Sequence, residues 1–294
     1  MTDIEIIEKV LSSKKASDIL TGDWKPLYKS YSRLIHPDMC KQPYAEKAMT
    51  TLNQYKEELE NGILYTDESG NFRVFEKKIV YVVTDKNRKL IQKSVSNYKL
   101  LKQKTDKASV GFHRYLPESM VLENDLLTIN LKDRAIPLTG QKFEQVHANW
   151  VFSRMFEISL WFRNSGYSHM GMNPTTVFVV PETHGIILIS FYHMTHLDQK
   201  ADTISARYKM WYPTTLFTEK IATQDIDLEL CKKIALYLLG DRSAAGTKLK
   251  RDKDVNQKIL SFLLTKHQCE VEDYTKYREI LTKEFERKFY PLNL

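Results

Sequence analysis

Few residues in this chain combine side-chain type and spacing in a way that could do chemistry. His193-Met194-Thr195-His196 places two imidazoles at metal-ligand spacing, but no third ligand lies nearby, so they read as loop histidines and no metal is expected. His184 beside Gly185 reads as a turn residue, and no Ser-His-Asp or Cys-His arrangement stands out. His36-Pro37-Asp38 is different. It interrupts two amphipathic segments, and on the polar face before it Lys25, Lys29 and Arg33 recur every four residues. Taken alone, the tripeptide reads as a helix stop followed by a turn.

The chain that carries these residues has ordinary globular composition: 294 residues, 42% apolar, 28% charged and a net charge of +7. This excludes wholesale disorder, a collagen-like chain and a disulfide scaffold. Cys40, Cys231 and Cys269 are far apart and cannot pair off evenly, which suits a reducing, cytoplasmic setting. No apolar run reaches the ~20 residues that span a bilayer, and acids in 1–8 argue against a signal peptide, so no membrane partner is expected. The charge is local. Residues 73–107 hold 11 basic and 3 acidic side chains, a net of +8, whereas 1–62 nets −1, 63–72 nets −2 and 108–294 nets +2. The 73–107 segment reads first as a solvated face, and otherwise as a surface for an acidic or phosphate-bearing partner.

Trp24, Leu27, Tyr28, Tyr31, Leu34 and Ile35 have helical spacing behind Asp23, a plausible N-cap. Pro37 disfavours helix at His36. A second helix puts Tyr44, Ala48, Leu52, Tyr55 and Leu59 on its inner face and ends at Asn61-Gly62. A shorter helix over 4–11 precedes the pair, so 1–62 forms an αα-hairpin whose tip presents His36, Pro37 and Asp38. The basic face, the His-Pro-Asp loop and the "AEKAMTTLNQYKEEL" helix resemble a J domain, the module with which J-domain co-chaperones stimulate ATP hydrolysis by DnaK-type chaperones. The resemblance implies that His36, Pro37 and Asp38 engage that chaperone and that Lys25, Lys29 and Arg33 steer its acidic surface. The usual fourth helix is missing after Gly62, and the chain lacks the Gly/Phe-rich stretch and CxxC repeats with which some J proteins hold clients.

The polar, turn-rich 63–72 segment reads as a linker. Strands are expected over 74–84, 90–93, 120–122 and 126–131, with a helical stretch at 97–104. A helix over 143–164 follows, then strands 177–180 and 186–189 joined as a hairpin, then a long helix after Asp227. Strands first and helices later argue for an α+β domain. The succession of helix, "SHMGMNPTTVFVV", hairpin and "ILISFY" resembles a protein kinase core, with a small β-rich lobe at 73–140 and a larger helical lobe at 141–294. The resemblance matches His169 and Pro174 to the catalytic loop, Phe191 to the phenylalanine after the hairpin, and Asp227 to the structural aspartate of the central helix. Tyr212-Pro213-Thr214 falls where alanine-proline-glutamate would be expected.

The chemistry that the kinase resemblance calls for is missing. Gly171 stands at the catalytic base, Thr176 at the metal-binding asparagine and Ser190 at the metal-binding aspartate, and none can hold magnesium or accept a hydroxyl proton. Gly70 stands alone before Gly111, so no Gly-rich phosphate loop is expected. Lys93 is the candidate ATP-anchoring lysine, yet no glutamate lies between Glu76 and Glu118 to pair with it. The expectation is a non-enzymatic, multi-domain co-chaperone: an all-α J-like hairpin recruits a DnaK-type ATPase, and an inactive kinase-like domain without cofactor selects the client protein or the location. The alternatives are a nucleic-acid adaptor acting through 73–107 and an atypical kinase that binds ATP through Lys93.

Overall fold

The computed structural model describes residues 1–292 and 294. They form two compact units, one built from 1–64 with 73–76 and residue 294, the other from 65–72 with the described residues from 77 to 292. No helix among the described residues is long and apolar enough to cross a membrane.

The first unit consists of helices α1 (Asp3–Ser12), α2 (Trp24–Ile35) and α3 (Ala45–Asn61). Thr2 caps α1 in a reciprocal capping box with Glu5, which satisfies donors that a free helix end would leave exposed. Ile6, Val10, Ile19, Ile35, Ala48 and Leu52 are almost wholly buried in one core. Each large aliphatic of this set contributes about 1.5–3 kcal/mol by leaving water. Tyr28, early in α2, donates its hydroxyl to Asn53 (2.7 Å) in the middle of α3, a bond that joins the two helices across the 36–44 loop. The apolar faces depart from the expected ones at two residues. Leu34, in the last turn of α2, is 44% exposed, and Tyr44 is 69% exposed, the latter because α3 begins only at Ala45 and Tyr44 precedes its first turn. Asp23 occupies the N-cap position of α2 without a side-chain bond to it. After α3, the Arg73 guanidinium donates to the carbonyls of Asn61 (2.9 Å) and Gly62 (3.2 Å) and ties the 73–76 segment to the helix end. A Cβ at Gly62 would meet the Val74 carbonyl at 3.0 Å, and its φ is +66°, so glycine is required there.

The 63–72 segment, expected as a linker, is instead mostly strand: β1 (Ile63–Asp67) and β2 (Gly70–Val74) flank a two-residue turn. With β3 (Lys78–Val82), β4 (Ser119–Glu123) and β5 (Leu126–Asn130) they form a sheet in the order β1-β2-β3-β5-β4. Ile79 and Tyr81 lie opposite Ile129 and Leu127 and turn to the buried face. The strand expected over 90–93 does not exist. Residues 88–102 form helix α4 (Arg88–Lys102), which packs against β4. Its buried positions Ile91, Ser94, Val95, Tyr98 and Leu101 follow a helical period, which a four-residue window around Leu90-Ile91 is too short to reveal. A short α5 (Lys107–Phe112) sits between α4 and β4.

The remainder is mainly helical. α6 (Gln145–Asn164) and α8 (Asp225–Leu238) pack together, and Val151, Met155, Ile158, Leu230 and Ile234 are buried on them. β6 (Ile136–Pro137), which precedes α6, joins β8 (Val177–Val180) and β9 (Gly185–Leu188) in a sheet of order β6-β8-β9, and β7 (Tyr167–Ser168) pairs with β10 (Thr195–His196). α7 (Thr215–Glu219) precedes α8, while α9 (Gln257–Leu264) and α10 (Val271–Glu284) close the unit.

Candidate functional site

At the tip of the helical unit, His36 ends α2 in an extended conformation (ψ 129°), as a residue before proline must. Its carbonyl accepts the backbone N–H groups of Met39 (2.9 Å) and Cys40 (2.8 Å). Its Nδ1 lies 3.3 Å from the Asp38 N–H and 3.5 Å from the Asp38 carboxylate. The tripeptide is thus a closed turn, yet its side chains remain in solvent: 47% exposed for His36 and 85% for Asp38. Lys25, Lys29 and Arg33 are exposed along α2, and none is paired with a carboxylate among the described residues.

In the second unit, the residues matched to a kinase catalytic loop come together. Asp227 on α8 accepts the backbone N–H groups of His169 (2.6 Å) and Met170 (2.8 Å). Complete burial pushes its carboxyl up to about 6 despite those bonds. Met170 adopts a left-handed φ of 55°, and its carbonyl accepts the Tyr212 hydroxyl at 2.5 Å. Beyond it the loop closes on itself. The Gly171 N–H donates to His169 Nδ1 (3.1 Å), and the Gly171 carbonyl accepts the Thr176 hydroxyl (2.7 Å) and the Asn173 amide (3.1 Å). Asn173 Oδ1 in turn accepts the N–H (2.9 Å) and hydroxyl of Thr175. Most polar groups of the loop are therefore occupied in holding its shape, while His169 Nε2 is buried without a hydrogen-bond partner.

His193 lines the same place. A Cβ at Gly171 would sit 3.1 Å from its ring, and its Nδ1 is 2.8 Å from the Thr203 hydroxyl. Burial holds the His193 imidazole down at about 4 and that of His169 at about 3. His196 diverges from His193 and packs on Tyr167 (4.3 Å between centroids). Among the described residues no group of three or more metal-binding side chains forms.

Phe191 is fastened to α4. Its N–H donates to Ser94 (2.9 Å), its carbonyl accepts the Asn97 amide (2.8 Å), and its ring lies against Tyr98 and His169. Ser190 is buried beside Tyr81 and Tyr192. Lys93, expected to anchor a nucleotide from a strand, instead projects from α4 and pairs with Asp202 at 2.9 Å. In a kinase the anchoring lysine belongs to the third strand, and here that strand carries Tyr81 on its buried face, donating to Asp67 at 2.8 Å. The other basic side chains of 73–107 are dispersed: Arg88 pairs with Asp125 (2.9 Å), and Lys102 and Lys104 lie over the rings of Tyr98 and Tyr167.

Sequence reasoning missed the turn between β1 and β2, the element that covers the phosphates in a kinase. It reads Asp67-Glu68-Ser69-Gly70. Asp67 accepts the Ser69 N–H (2.8 Å) and hydroxyl (2.7 Å) as well as Tyr81, and burial raises its carboxyl to about 6. Glu68 accepts the Tyr192 hydroxyl (3.1 Å) and the Ser205 hydroxyl. The turn is thus acidic and latched to the chain beyond the β8–β9 hairpin. Two acids within one turn were visible in the sequence, but the partners of Glu68, more than a hundred positions away, were not.

No protein-family model and no curated protein matches the chain. Solved structures do. A rhoptry kinase from Toxoplasma gondii is 14% identical with a TM-score of 0.51, over 75% of this chain and 79% of that one. The second unit has a protein-kinase-like fold. The Toxoplasma gondii specific rhoptry antigen kinase domain also matches, at 13% identity and TM-score 0.47, over 75% of this chain and 78% of that one. This protein-kinase-like fold accounts for the sheet order, for the β7–β10 pair flanking the 169–176 loop, and for Asp227 holding that loop from a central helix.

Proposed function

We propose that the chain is a J-domain co-chaperone whose protein-kinase-like unit is inactive and serves to choose a client protein or a location. The helical unit recruits a DnaK-type chaperone through His36, Pro37 and Asp38 and steers it with Lys25, Lys29 and Arg33. The observation that carries this reading is the tip itself: a closed His-Pro-Asp turn with solvent-exposed side chains, next to three exposed basic residues on α2 that meet no carboxylate among the described residues. Preorganising the loop lowers the ordering cost of binding, and the basic row raises the encounter rate with an acidic surface.

Inactivity of the kinase-like unit follows from chemistry. Gly171, Thr176 and Ser190 offer no carboxylate for magnesium or for a hydroxyl proton, and Asp67 and Glu68 put acids where a nucleotide would bring phosphates. The chain therefore supplies targeting, and the partner supplies hydrolysis.

The test is a steady-state ATPase assay with the DnaK-type chaperone. Wild type is expected to accelerate hydrolysis and His36→Gln to abolish the acceleration; equal rates refute the co-chaperone reading. Millimolar Mg-ATP is expected to leave the melting temperature of the chain unchanged, because a ligand of the native state must raise it.

A further inference from the structure

Tyr44 is the first residue outside α3 and adopts φ 67°, ψ 7°, the left-handed region. A side chain with a Cβ is disfavoured there, and glycine is not. The backbone task at this position is simple: the Tyr44 carbonyl accepts the Ala48 N–H at 2.9 Å, and no side-chain cap is made. The ring contributes nothing visible to the unit. It is 69% exposed, and neither ring nor hydroxyl has a partner among the described residues. A large aromatic is held in a strained, solvent-exposed position where glycine would serve the fold better, which points to a contact outside the chain.

What surrounds the ring indicates its partner. Tyr44 and Pro37 line one open hollow of about 420 Å³, rimmed by Lys41, Lys47 and Glu46. The tyrosine therefore borders the His-Pro-Asp turn, and the two lysines add to the positive charge of Lys25, Lys29 and Arg33. We infer that Tyr44 is an aromatic anchor for the DnaK-type chaperone, inserting into an apolar recess bordered by acidic side chains, an inference that rests on the co-chaperone reading. Aromatic side chains ringed by charge are the usual carriers of interface affinity.

Tyr44→Gly separates anchor from fold, since it relieves the backbone while deleting the ring. The experiment titrates the full chain against the DnaK-type chaperone in the ATPase assay, with wild type, Tyr44→Gly, Tyr44→Phe and His36→Gln. Tyr44→Gly is expected to melt higher than wild type yet to need at least ~3-fold more protein for half-maximal stimulation, with the maximal rate unchanged; Tyr44→Phe is expected to match wild type. An unchanged half-saturation for Tyr44→Gly, or a lower melting temperature, overturns the anchor. A dimer of the chain that Tyr44→Gly abolishes overturns it as well, assigning the ring to contacts between copies. If His36→Gln is inactive and Tyr44→Gly is normal, only the anchor fails; if His36→Gln equals wild type, the co-chaperone reading fails beneath it.

Discussion

The ring of His193 lies across Gly171, so close that a Cβ on residue 171 would stand 3.1 Å from its Cδ2. At the position that the kinase resemblance gives to the catalytic base, the space a carboxylate would enter is filled by a buried imidazole bonded to Thr203. Gly171→Ala is expected to destabilise the chain by about 1–3 kcal/mol through overpacking. Urea melting measures it. Gly171→Asp with Thr176→Asn and Ser190→Asp restores the residue types of a kinase, yet is expected to yield no phosphoryl transfer in a radiolabelled-ATP assay. Incorporated label would show that His193 and the acidic β1–β2 turn are no obstacle.

Glu68 closes the same region from the other side, accepting the hydroxyls of Tyr192 and Ser205. Glu68→Ala leaves the buried Tyr192 hydroxyl without that acceptor, at a cost of about 1–3 kcal/mol. The loss should also be local: amide exchange is expected to accelerate at 65–72 and 190–212 well before the core of α6 and α8 responds. Uniform acceleration across the unit would mean that Glu68 is not a latch.

Several parts of this arrangement were legible in the sequence. His36-Pro37-Asp38 between amphipathic segments, the 167–191 succession and Asp227 all depend on residues close in sequence or on regular helical spacing. The β1–β2 hairpin was not legible. Its turn is polar, and the groups that make it structural, Tyr81, Tyr192 and Ser205, come from distant segments. Lys93 was misplaced because Leu90-Ile91-Gln92-Lys93 in isolation resembles a strand, whereas the helix is defined by Ile91, Val95, Tyr98 and Leu101 buried together. Tyr44 fits a helical period with Ala48, but the period does not reveal where the helix begins.

The buried histidines make stability depend on pH. His169 and His193 hold folded pKa values of about 3 and 4 against 6.5 when unfolded, so the unfolded chain binds more protons and stability falls as pH drops from 6.5 toward 4. Asp67 and Asp227, raised from 3.8 to about 6, act in the opposite sense: they cost stability at neutral pH and return it as pH falls from 6 toward 3.8. His193→Gln retains a partner for Thr203 and removes one titrating group. Its stability relative to wild type is expected to improve by about 1 kcal/mol per unit between pH 6 and 4.5, read from urea midpoints. Parallel profiles would mean that His193 titrates normally in the folded chain.

Lys25, Lys29 and Arg33 recur every four residues, so along α2 their side chains are about 6 Å apart and the row spans about 12 Å. That length is close to the Debye length of ~10 Å at 0.1 M salt, so the three charges act together on an approaching acidic surface, and salt weakens them together. Because the residues are exposed and unpaired, reversing one should leave the fold intact; Lys29→Glu and Arg33→Glu are expected to melt within about 1 kcal/mol of wild type. Each reversal should slow association with the DnaK-type chaperone about two- to tenfold in stopped-flow measurements at low salt, with dissociation nearly unchanged. At 1 M salt, where screening acts within ~3 Å, the difference between variant and wild type should vanish. A defect that persists at high salt would mean that Lys29 and Arg33 make direct contacts and do not steer.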